Sequence, residues 1–153
     1  MRWSSSLYLC NRASSFCLMD TRDPIQRRRI MQAVKRENTK PELTVRRLLH
    51  SLGYRYRLHR KELPGTPDIV FPSRKKVIFV NGCFWHGHGC KKGQLPKSRL
   101  DYWKPKIAKN VERDKNRAEQ LALLAWRVFV VWQCQTTDID DLAKVLRNFL
   151  DEP

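Results

Sequence analysis

Residues 81–90 combine two cysteines, two histidines, a Phe-Trp pair and three glycines in one short segment. Thiolate and imidazole are the usual ligands of zinc, and glycine lets a short loop turn tightly around an ion. Cys83, His88 and Cys90 lie within this segment, and Cys134 follows an apolar strand whose end could neighbour it. Three thiolates and one imidazole would form a closed tetrahedral zinc site of structural type. The alternative is that the three cysteines are buried as small apolar side chains.

One histidine and two carboxylates add a different kind of chemistry. If the four zinc candidates complete one site, His86 is left over in the same loop and can accept a proton near neutral pH. The alternatives are an exposed loop histidine, or that His86 rather than His88 is the ligand. Asp68 begins a predicted strand, where its side chain can project at the end of the sheet towards a catalytic centre. The alternative is that Asp68 caps a turn. Asp114 lies on the inward face of a predicted helix, so it needs either a structural Arg or Lys partner or a place in a catalytic centre.

Aromatic residues and charge point to a polyanionic partner. Phe84 and Trp85 lie beside the candidate ligands, and Trp103 lies just before a predicted helix; such aromatics can wedge between bases, although they more often belong to a core. The chain has 31 Lys and Arg against 15 Asp and Glu, with a formal net charge of +16. This excess favours nucleic acid over a membrane, because no basic amphipathic helix with a clean apolar face and no membrane-length apolar run is evident.

Length and cysteine usage set the domain organisation. The 153 residues suit one domain with one core. Five cysteines at uneven spacing make a poor disulfide framework, which favours metal binding and a reducing compartment. Residues 1–18 are rich in serine and too weakly apolar for a signal peptide. Because Met19 is followed at once by a helix cap, we interpret 1–18 as an extension and 19–153 as the single folded domain.

Local signals predict helices on both sides of a mixed sheet, an α/β fold. Asp23-Pro24 starts a predicted helix that runs through Val34. Thr39 and Glu42 fit a capping box for a second helix that ends at Gly53. Predicted strands follow at 54–58, 68–71 and 77–80, the last two as a hairpin.

The second half of the chain predicts a long helix, a strand and a final helix. Pro105 starts the long helix, which runs to about Leu124. Its predicted inward stripe consists of Ile107, Val111, Ala118, Leu121 and Ala125, with Asp114 on the same stripe. Residues 127–132 read as a strand covered on both faces, with Trp126 and Trp132 in the core. The final helix spans Ile139 to Leu150.

Several of these segments together resemble one family. Gly65-Thr66-Pro67-Asp68, the run from Val77 to His86, Trp103, Lys109 to Asp114 and Trp126-Arg127-Val128 closely resemble the very short patch repair (Vsr) endonucleases, over about residues 20 to 135. The resemblance implies a fold similar to that of restriction endonucleases. It also implies an enzyme that nicks duplex DNA beside the T of a T·G mismatch left by deamination of 5-methylcytosine.

The resemblance further implies a role for each candidate residue. Asp68 and the backbone carbonyl of Val80 would hold Mg²⁺, His86 would activate water, Asp114 would support the water and metal network, and Glu42 would contact the site. The structural zinc would be bound by Cys83, His88, Cys90 and Cys134. The residues that intercalate beside the mismatch would be Phe84, Trp85 and Trp103. The implied setting is a monomer acting in the bacterial cytoplasm at the nucleoid, with other mismatch-repair proteins as further partners.

Asn81 departs from the family pattern. Some members carry a histidine immediately after the metal-binding carbonyl, whereas this chain has Asn81, which can hydrogen-bond a DNA phosphate but cannot transfer a proton. The departure places the proton chemistry on His86. Two alternatives stay open from the sequence: a non-catalytic zinc module that binds nucleic acid, and a nuclease of the same fold with another substrate.

Overall fold

The computed structural model describes residues 25, 29 and 37–152. The predicted first helix and the extension at 1–18 therefore lie outside the described residues, apart from those two positions. Within 37–152 the chain forms a mixed α/β fold of three helices and four strands. The helices are α1 (Lys40–Ser51), α2 (Leu100–Leu123) and α3 (Ile139–Asp151); the strands are β1 (Arg57–Leu58), β2 (Ile69–Phe71), β3 (Lys76–Asn81) and β4 (Arg127–Trp132). Among these helices none is long and apolar enough to cross a membrane.

The sheet has the strand order β1-β2-β3-β4 and is mixed in direction. β2 runs antiparallel to both β1 and β3, and a short 3-10 turn at Pro72–Arg74 joins it to β3. Lys75 closes this turn in the left-handed conformation, with φ of 51°. β4 runs parallel to β3, so α2 makes the crossover connection between them that a parallel pair requires. The predicted β2–β3 hairpin is confirmed.

The sheet is covered by helices on both faces. Successive strand residues point to opposite faces, so Ile69 and Phe71 pack on one side and Val70 on the other. The first face packs against α1 and α3, in a cluster of Val45, Leu48, Leu49, Ile69, Phe71, Ile78, Val131, Leu142, Leu146 and Leu150. The second face packs against the end of α2 and the segment before β2, in a cluster of Leu63, Val70, Val77 and Leu121. This arrangement leaves the strand ends free to carry chemistry.

The predicted ends of α1 are confirmed. Thr39 caps the helix: its Oγ1 accepts from the Glu42 amide at 3.4 Å, and its own amide donates to Glu42 Oε2 at 3.3 Å. Gly53 follows the helix with φ of 85°, a conformation that a residue without Cβ adopts at little cost. The capping box thus fixes the Glu42 side chain at the first turn of α1.

The predicted start of α2 is wrong. The helix begins at Leu100, and Pro105 lies inside it, where it removes one backbone donor near the N-terminus without ending the helix. Ile107 and Leu121 are buried as predicted, but Val111 is 45% exposed. Ala125 is exposed and lies beyond the helix with φ of 58°. The sheet cluster includes α2 only at Leu121, near its end, whereas Ile107 and Val111 lie beside Gly87 of the loop after β3, so the apolar stripe overestimates the buried face.

Two strand predictions also need correction. The strand predicted at 54–58 is only the two exposed residues of β1, although Tyr54 and Tyr56 do pack edge-on against the Phe71 ring. β4 lies at the edge of the described sheet and only Val131 is fully buried in it.

The two tryptophans beside and in β4 are less deeply buried than predicted. Trp126 is partly exposed but packs against the cluster that contains Val70 and Val77, with the Lys75 ammonium 4.8 Å from its ring centroid. Trp132 is also partly exposed and stacks on a loop histidine instead. An apolar sequence therefore predicted the strand but not how deeply it is buried.

Candidate active site and metal centre

The predicted site residues meet at one end of the sheet. Asp68 immediately precedes β2, and its Oδ2 accepts a hydrogen bond from the Val80 amide, 2.7 Å away, near the end of antiparallel β3. Parallel β3 and β4 end together, and the Gln133 amide donates to the Asn81 carbonyl at 2.9 Å. The loop after β3 and Cys134 after β4 therefore begin side by side, next to Asp68.

Four soft donors converge in this loop. The ligand atoms of Cys83, His88, Cys90 and Cys134 all lie within 4.8 Å of one another. Cys134 Sγ is 3.5 Å from Nδ1 of His88, whose ring stacks on Trp132 with centroids 4.3 Å apart. Three sulfurs and one imidazole nitrogen at this spacing fit a tetrahedral zinc ion, and the set has the composition of closed structural sites.

Close backbone packing fixes the loop around these donors. The His88 amide donates to the Cys83 carbonyl at 3.0 Å, and the Gly93 amide donates to the Cys90 carbonyl at 2.9 Å. A Cβ added to Gly93 would lie 1.8 Å from the His88 carbonyl oxygen, so only glycine fits there. The loop thus has little freedom to spread its ligands apart.

The thiols differ in how readily they ionise. Burial raises the pKa of the Cys83 thiol to about 11. At Cys90 desolvation also opposes ionisation, but hydrogen bonds to His88 and Cys83 outweigh it and lower the pKa to about 6. Because metals bind the thiolate, Cys90 offers the more readily available sulfur ligand of the two.

A second donor cluster has harder chemistry. Donor atoms of Glu42, His59 and Asp68 lie within 4.8 Å of one another. Glu42 is only 2% exposed, forms an ion pair with Arg46 and lies 3.1 Å from His59 Nε2 through its Oε1. Two carboxylates and an imidazole can hold a divalent cation, so this group is a second candidate metal site.

Asp68 is poorly solvated at the edge of this cluster. Burial raises the pKa of its carboxyl, the Val80 amide opposes that rise and the Glu42 charge adds to it, so that the pKa is about 6. A carboxylate that is costly to ionise alone gains most from a bound cation. The physical setting of Asp68 therefore matches a metal ligand better than a simple turn cap.

His86 and Asp114 form a direct pair. His86 Nδ1 contacts Asp114 Oδ2, while Arg113 approaches the other carboxylate oxygen at 3.3 Å and Arg117 at 3.7 Å. Both members of the pair are partly exposed. A carboxylate on Nδ1 fixes the tautomer of the ring and leaves Nε2 able to accept a proton, as a general base requires. Asp114 therefore contacts two arginines and also His86, the histidine that the sequence singled out as a candidate base.

The three predicted intercalating residues form one cluster. Phe84 lies with its ring centroid 5.0 Å from those of both Trp85 and Trp103, in edge-to-face contact. Tyr102 extends the cluster outward, 5.0 Å from Trp103, and is 42% exposed. The Asn110 amide donates to the Trp85 carbonyl at 2.9 Å and so ties the loop to α2. Partly exposed rings on such a support can present a flat surface to bases.

The structure thus brings the predicted residues together in four groups, and it adds partners that sequence patterns did not indicate. His59, Arg46 and Asn110 were not predicted. His59 is a lone histidine after a short exposed strand, and nothing in the sequence links it to Glu42. Arg46 lies one turn after Glu42 on α1, and this i,i+4 spacing was a usable signal for the ion pair.

Comparison with known proteins gives a consistent result. Residues 19–92 match the family model described as DNA mismatch endonuclease Vsr. The chain is similar to the type II nicking enzyme V.XorIIP of Xanthomonas oryzae pv. oryzae, with 62% identity over 134 residues that cover 88% of this chain and 98% of that protein. It is also similar to the DNA mismatch endonuclease Vsr of Escherichia coli, with 39% identity over 117 residues, 76% of this chain and 75% of that protein.

Proposed function

This chain belongs to the Vsr family of DNA endonucleases, and we propose that it nicks duplex DNA beside the T of a T·G mismatch. The name of the Escherichia coli relative supports a mismatch as the substrate, and the name of the Xanthomonas relative supports a single-strand nick as the product. T·G arises when 5-methylcytosine deaminates, so the nick would start very short patch repair. A non-catalytic zinc module is excluded by membership of an endonuclease family.

The observation that carries the proposal is the neighbourhood of three kinds of group at one sheet end. Asp68 with Glu42 can hold a cation, the His86–Asp114 pair can accept a proton, and the aromatic cluster can contact bases. The first two would serve hydrolysis of a phosphodiester, and the third would direct it to a mispaired base. A sheet flanked by helices with the metal site at its edge also supports a restriction-endonuclease-like architecture.

The proton chemistry follows from the His86 contact. With Nδ1 held by Asp114, the Nε2 lone pair can take a proton from the attacking water, and the Asp114 charge stabilises the imidazolium that forms. A divalent cation, Mg²⁺ in this proposal, would be held by Asp68 and the Val80 carbonyl with Glu42 beside it. When bound, it would stabilise charge on the phosphate and on the leaving oxygen. Asn81 would hydrogen-bond a phosphate oxygen.

The cysteine cluster has a structural role in this proposal. Zinc bound by Cys83, His88, Cys90 and Cys134 would hold the segment that carries Phe84, Trp85 and His86. His86, the proposed base, would then be fixed relative to Phe84 and Trp85, because all three belong to the same zinc-bound loop. The zinc itself would take no part in the reaction, since four protein ligands leave no open position.

The aromatic wedge, formed by Phe84, Trp85 and Trp103, would supply selectivity. These rings can enter the base stack beside the mismatch, and opening a mispaired step costs less free energy than opening a matched one. The +16 net charge would add attraction to phosphate that does not depend on sequence. We propose that the protein acts as a monomer in the bacterial cytoplasm, with mismatched duplex as its main partner and other mismatch-repair proteins as further partners.

A substrate panel tests this function. The protein is incubated with Mg²⁺ and with end-labelled duplexes carrying a T·G, an A·C or a T·T mismatch, a matched T·A pair or a hairpin; Asp68→Ala is the inactive control. The proposal predicts a single nick on the T strand of the T·G duplexes in at least one sequence context. Preferred cleavage of another duplex would assign a different substrate to the same active site. Equal strand breakage by Asp68→Ala would show that Asp68 does not belong to the active site.

A further inference from the structure

The group formed by Glu42, His59 and Asp68, called the carboxylate cluster below, contains one donor that the proposed reaction does not use, the His59 imidazole. His59 follows β1 with a φ of 45°, and its Nε2 lies 3.1 Å from Glu42 Oε1. The side chain of His59 is 18% exposed, so the ring lies mostly inside the site. Its donor atom and those of Glu42 and Asp68 are mutually within 4.8 Å, close enough for all three to reach one ion.

A positive charge already lies among these donors. One terminal nitrogen of the Arg46 guanidinium contacts Glu42 Oε1 and also lies 2.7 Å from His59 Nε2. Buried charges in proteins are either paired or bound to metal, so the guanidinium stands where a metal ion would otherwise neutralise the carboxylate.

One donor of Arg46 is left unsatisfied. Its Nε is buried and has no hydrogen-bond partner among the described residues, which is uncommon for a buried donor. Its other terminal nitrogen donates to Asn38 Oδ1 at 2.7 Å, and that contact is exposed. The guanidinium is therefore held at the cluster by its contacts with Glu42 and His59, and its contact with Asn38 lies nearer to solvent.

We propose that His59 is a ligand of the catalytic divalent cation, and that the Arg46 guanidinium occupies part of that cation's place until it binds. The inference rests on the proposed function, because it takes Asp68 as the centre of the cation site. In the ion-free protein, Arg46 offsets the repulsion between the Glu42 and Asp68 carboxylates. The incoming ion takes over this charge, and the guanidinium withdraws toward Asn38.

The donor set has a consequence for metal preference. Carboxylate oxygens alone suit Mg²⁺, whereas an added imidazole favours first-row transition ions. With His59 as a ligand the site binds Mn²⁺ more tightly than Mg²⁺, and that preference narrows when the imidazole is removed. Mg²⁺ can still support turnover, since it is bound by Asp68 without needing a nitrogen ligand.

Pulsed electron paramagnetic resonance of bound Mn²⁺ tests the assignment without relying on activity. The protein is first loaded with one equivalent of Zn²⁺, and Mn²⁺ is then added below stoichiometry. We expect a ¹⁴N coupling from a directly bound imidazole in wild type. The coupling should disappear in His59→Gln and persist in His50→Gln, a matched change at an exposed histidine of α1. Absence of the coupling in wild type, or its loss in His86→Gln but not in His59→Gln, would overturn the assignment.

Arg46→Met gives the second arm. Removing a competing positive charge should tighten Mn²⁺ binding by about tenfold, measured by titration of the free-ion signal. Arg46→Gln, which keeps a donor for Asn38, should tighten it as well and covers the case in which the Met variant does not fold. Unchanged or weaker binding in the folded variant would contradict the place-holding role of Arg46.

Failure of the substrate and failure of this inference give different results. A ¹⁴N coupling that depends on His59 in a protein that leaves T·G duplexes intact means that the proposed substrate is wrong and the ligand assignment holds. Nicking of T·G duplexes with no ¹⁴N coupling means the reverse.

Discussion

Two donor clusters lie at the same end of the sheet and differ in almost every physical respect. The cysteine cluster has soft donors on a loop that is fixed by backbone hydrogen bonds and by the close approach at Gly93. The carboxylate cluster has hard donors on three separate segments, Glu42 on α1, His59 after β1 and Asp68 before β2. Backbone contacts within the loop hold the cysteine cluster together, whereas side-chain ion pairs hold the carboxylate cluster together.

The two clusters suit different tasks: the cysteine cluster suits fixing a loop in place, and the carboxylate cluster suits binding groups that react. Four ligands on two adjacent strand ends can fix a loop, because none of them needs to exchange. A centre that must admit a cation and a phosphate needs donors whose present partners can be displaced, the role proposed above for Arg46 at Glu42 and His59. The His86–Asp114 pair joins the two regions, since His86 belongs to the cysteine loop and Asp114 to α2.

Removal of the base is expected to have the largest effect on nicking. His86→Gln keeps a polar side chain but no proton acceptor of suitable strength, so the single-turnover rate on a T·G duplex should fall by up to about 10⁴-fold. Zinc content and duplex affinity should stay unchanged. A loss of less than about tenfold would mean that another group activates water. His50→Gln serves as the control.

Opening the cysteine cluster should have the next largest effect. Cys134→Ser removes the ligand that joins β4 to the loop, so bound zinc should be lost and the melting temperature should fall by roughly 10 °C, if the site contributes a few kcal/mol. Nicking should fall by about 10³-fold because base and wedge lose their positions together. Cys17→Ser should leave zinc content, measured by mass spectrometry of the metal, unchanged. Full nicking activity without zinc would contradict the structural role of the cysteine cluster.

Asp114→Asn tests the link between the two regions. The amide keeps the shape but no longer fixes the His86 tautomer or stabilises its charged form, so we expect about a 10²-fold loss of rate with normal zinc content. The useful measurement is the single-turnover rate beside the duplex affinity: the rate should fall while the affinity for a T·G duplex stays unchanged. An unchanged rate would separate Asp114 from the base.

The wedge should show the smallest effect. Trp103→Ala removes one ring of the aromatic cluster, and stacking of one base on an aromatic ring is worth a few kcal/mol at most, so T·G affinity should fall by about tenfold. Affinity for a matched duplex should change little, because that binding depends on charge. Equal losses on both duplexes, measured by fluorescence anisotropy, would assign Trp103 to folding rather than to selectivity.

Local signals were sufficient for much of the fold. The Thr39–Glu42 capping box and the β2–β3 hairpin depend on neighbouring residues, and both were predicted. The start of α2 was wrong because Pro105 is tolerated inside the helix, and the burial of Val111 was wrong because only packing decides it. Periodicity shows which residues share a face, but it does not show how much of that face is covered.

The site was predictable where residues are close in sequence or fit a known family pattern. Cys83, His86, His88 and Cys90 lie in one loop, and Cys134 was placed with them because it follows a strand. His59 could not be found in this way, since its approach to Glu42 depends on how β1 is positioned against α1. Asp114 was identified as needing a partner, and the structure supplied His86 and two arginines together.

The division into two centres can be tested most directly by locating both metals in one crystal. Crystals grown with Zn²⁺ and soaked in Mn²⁺ would be measured at the absorption edges of the two elements. The account predicts a zinc peak enclosed by Cys83, His88, Cys90 and Cys134, and a separate manganese peak beside Glu42 and Asp68. Manganese among the cysteines, zinc alone at the carboxylates, or no second site at Asp68 would contradict it.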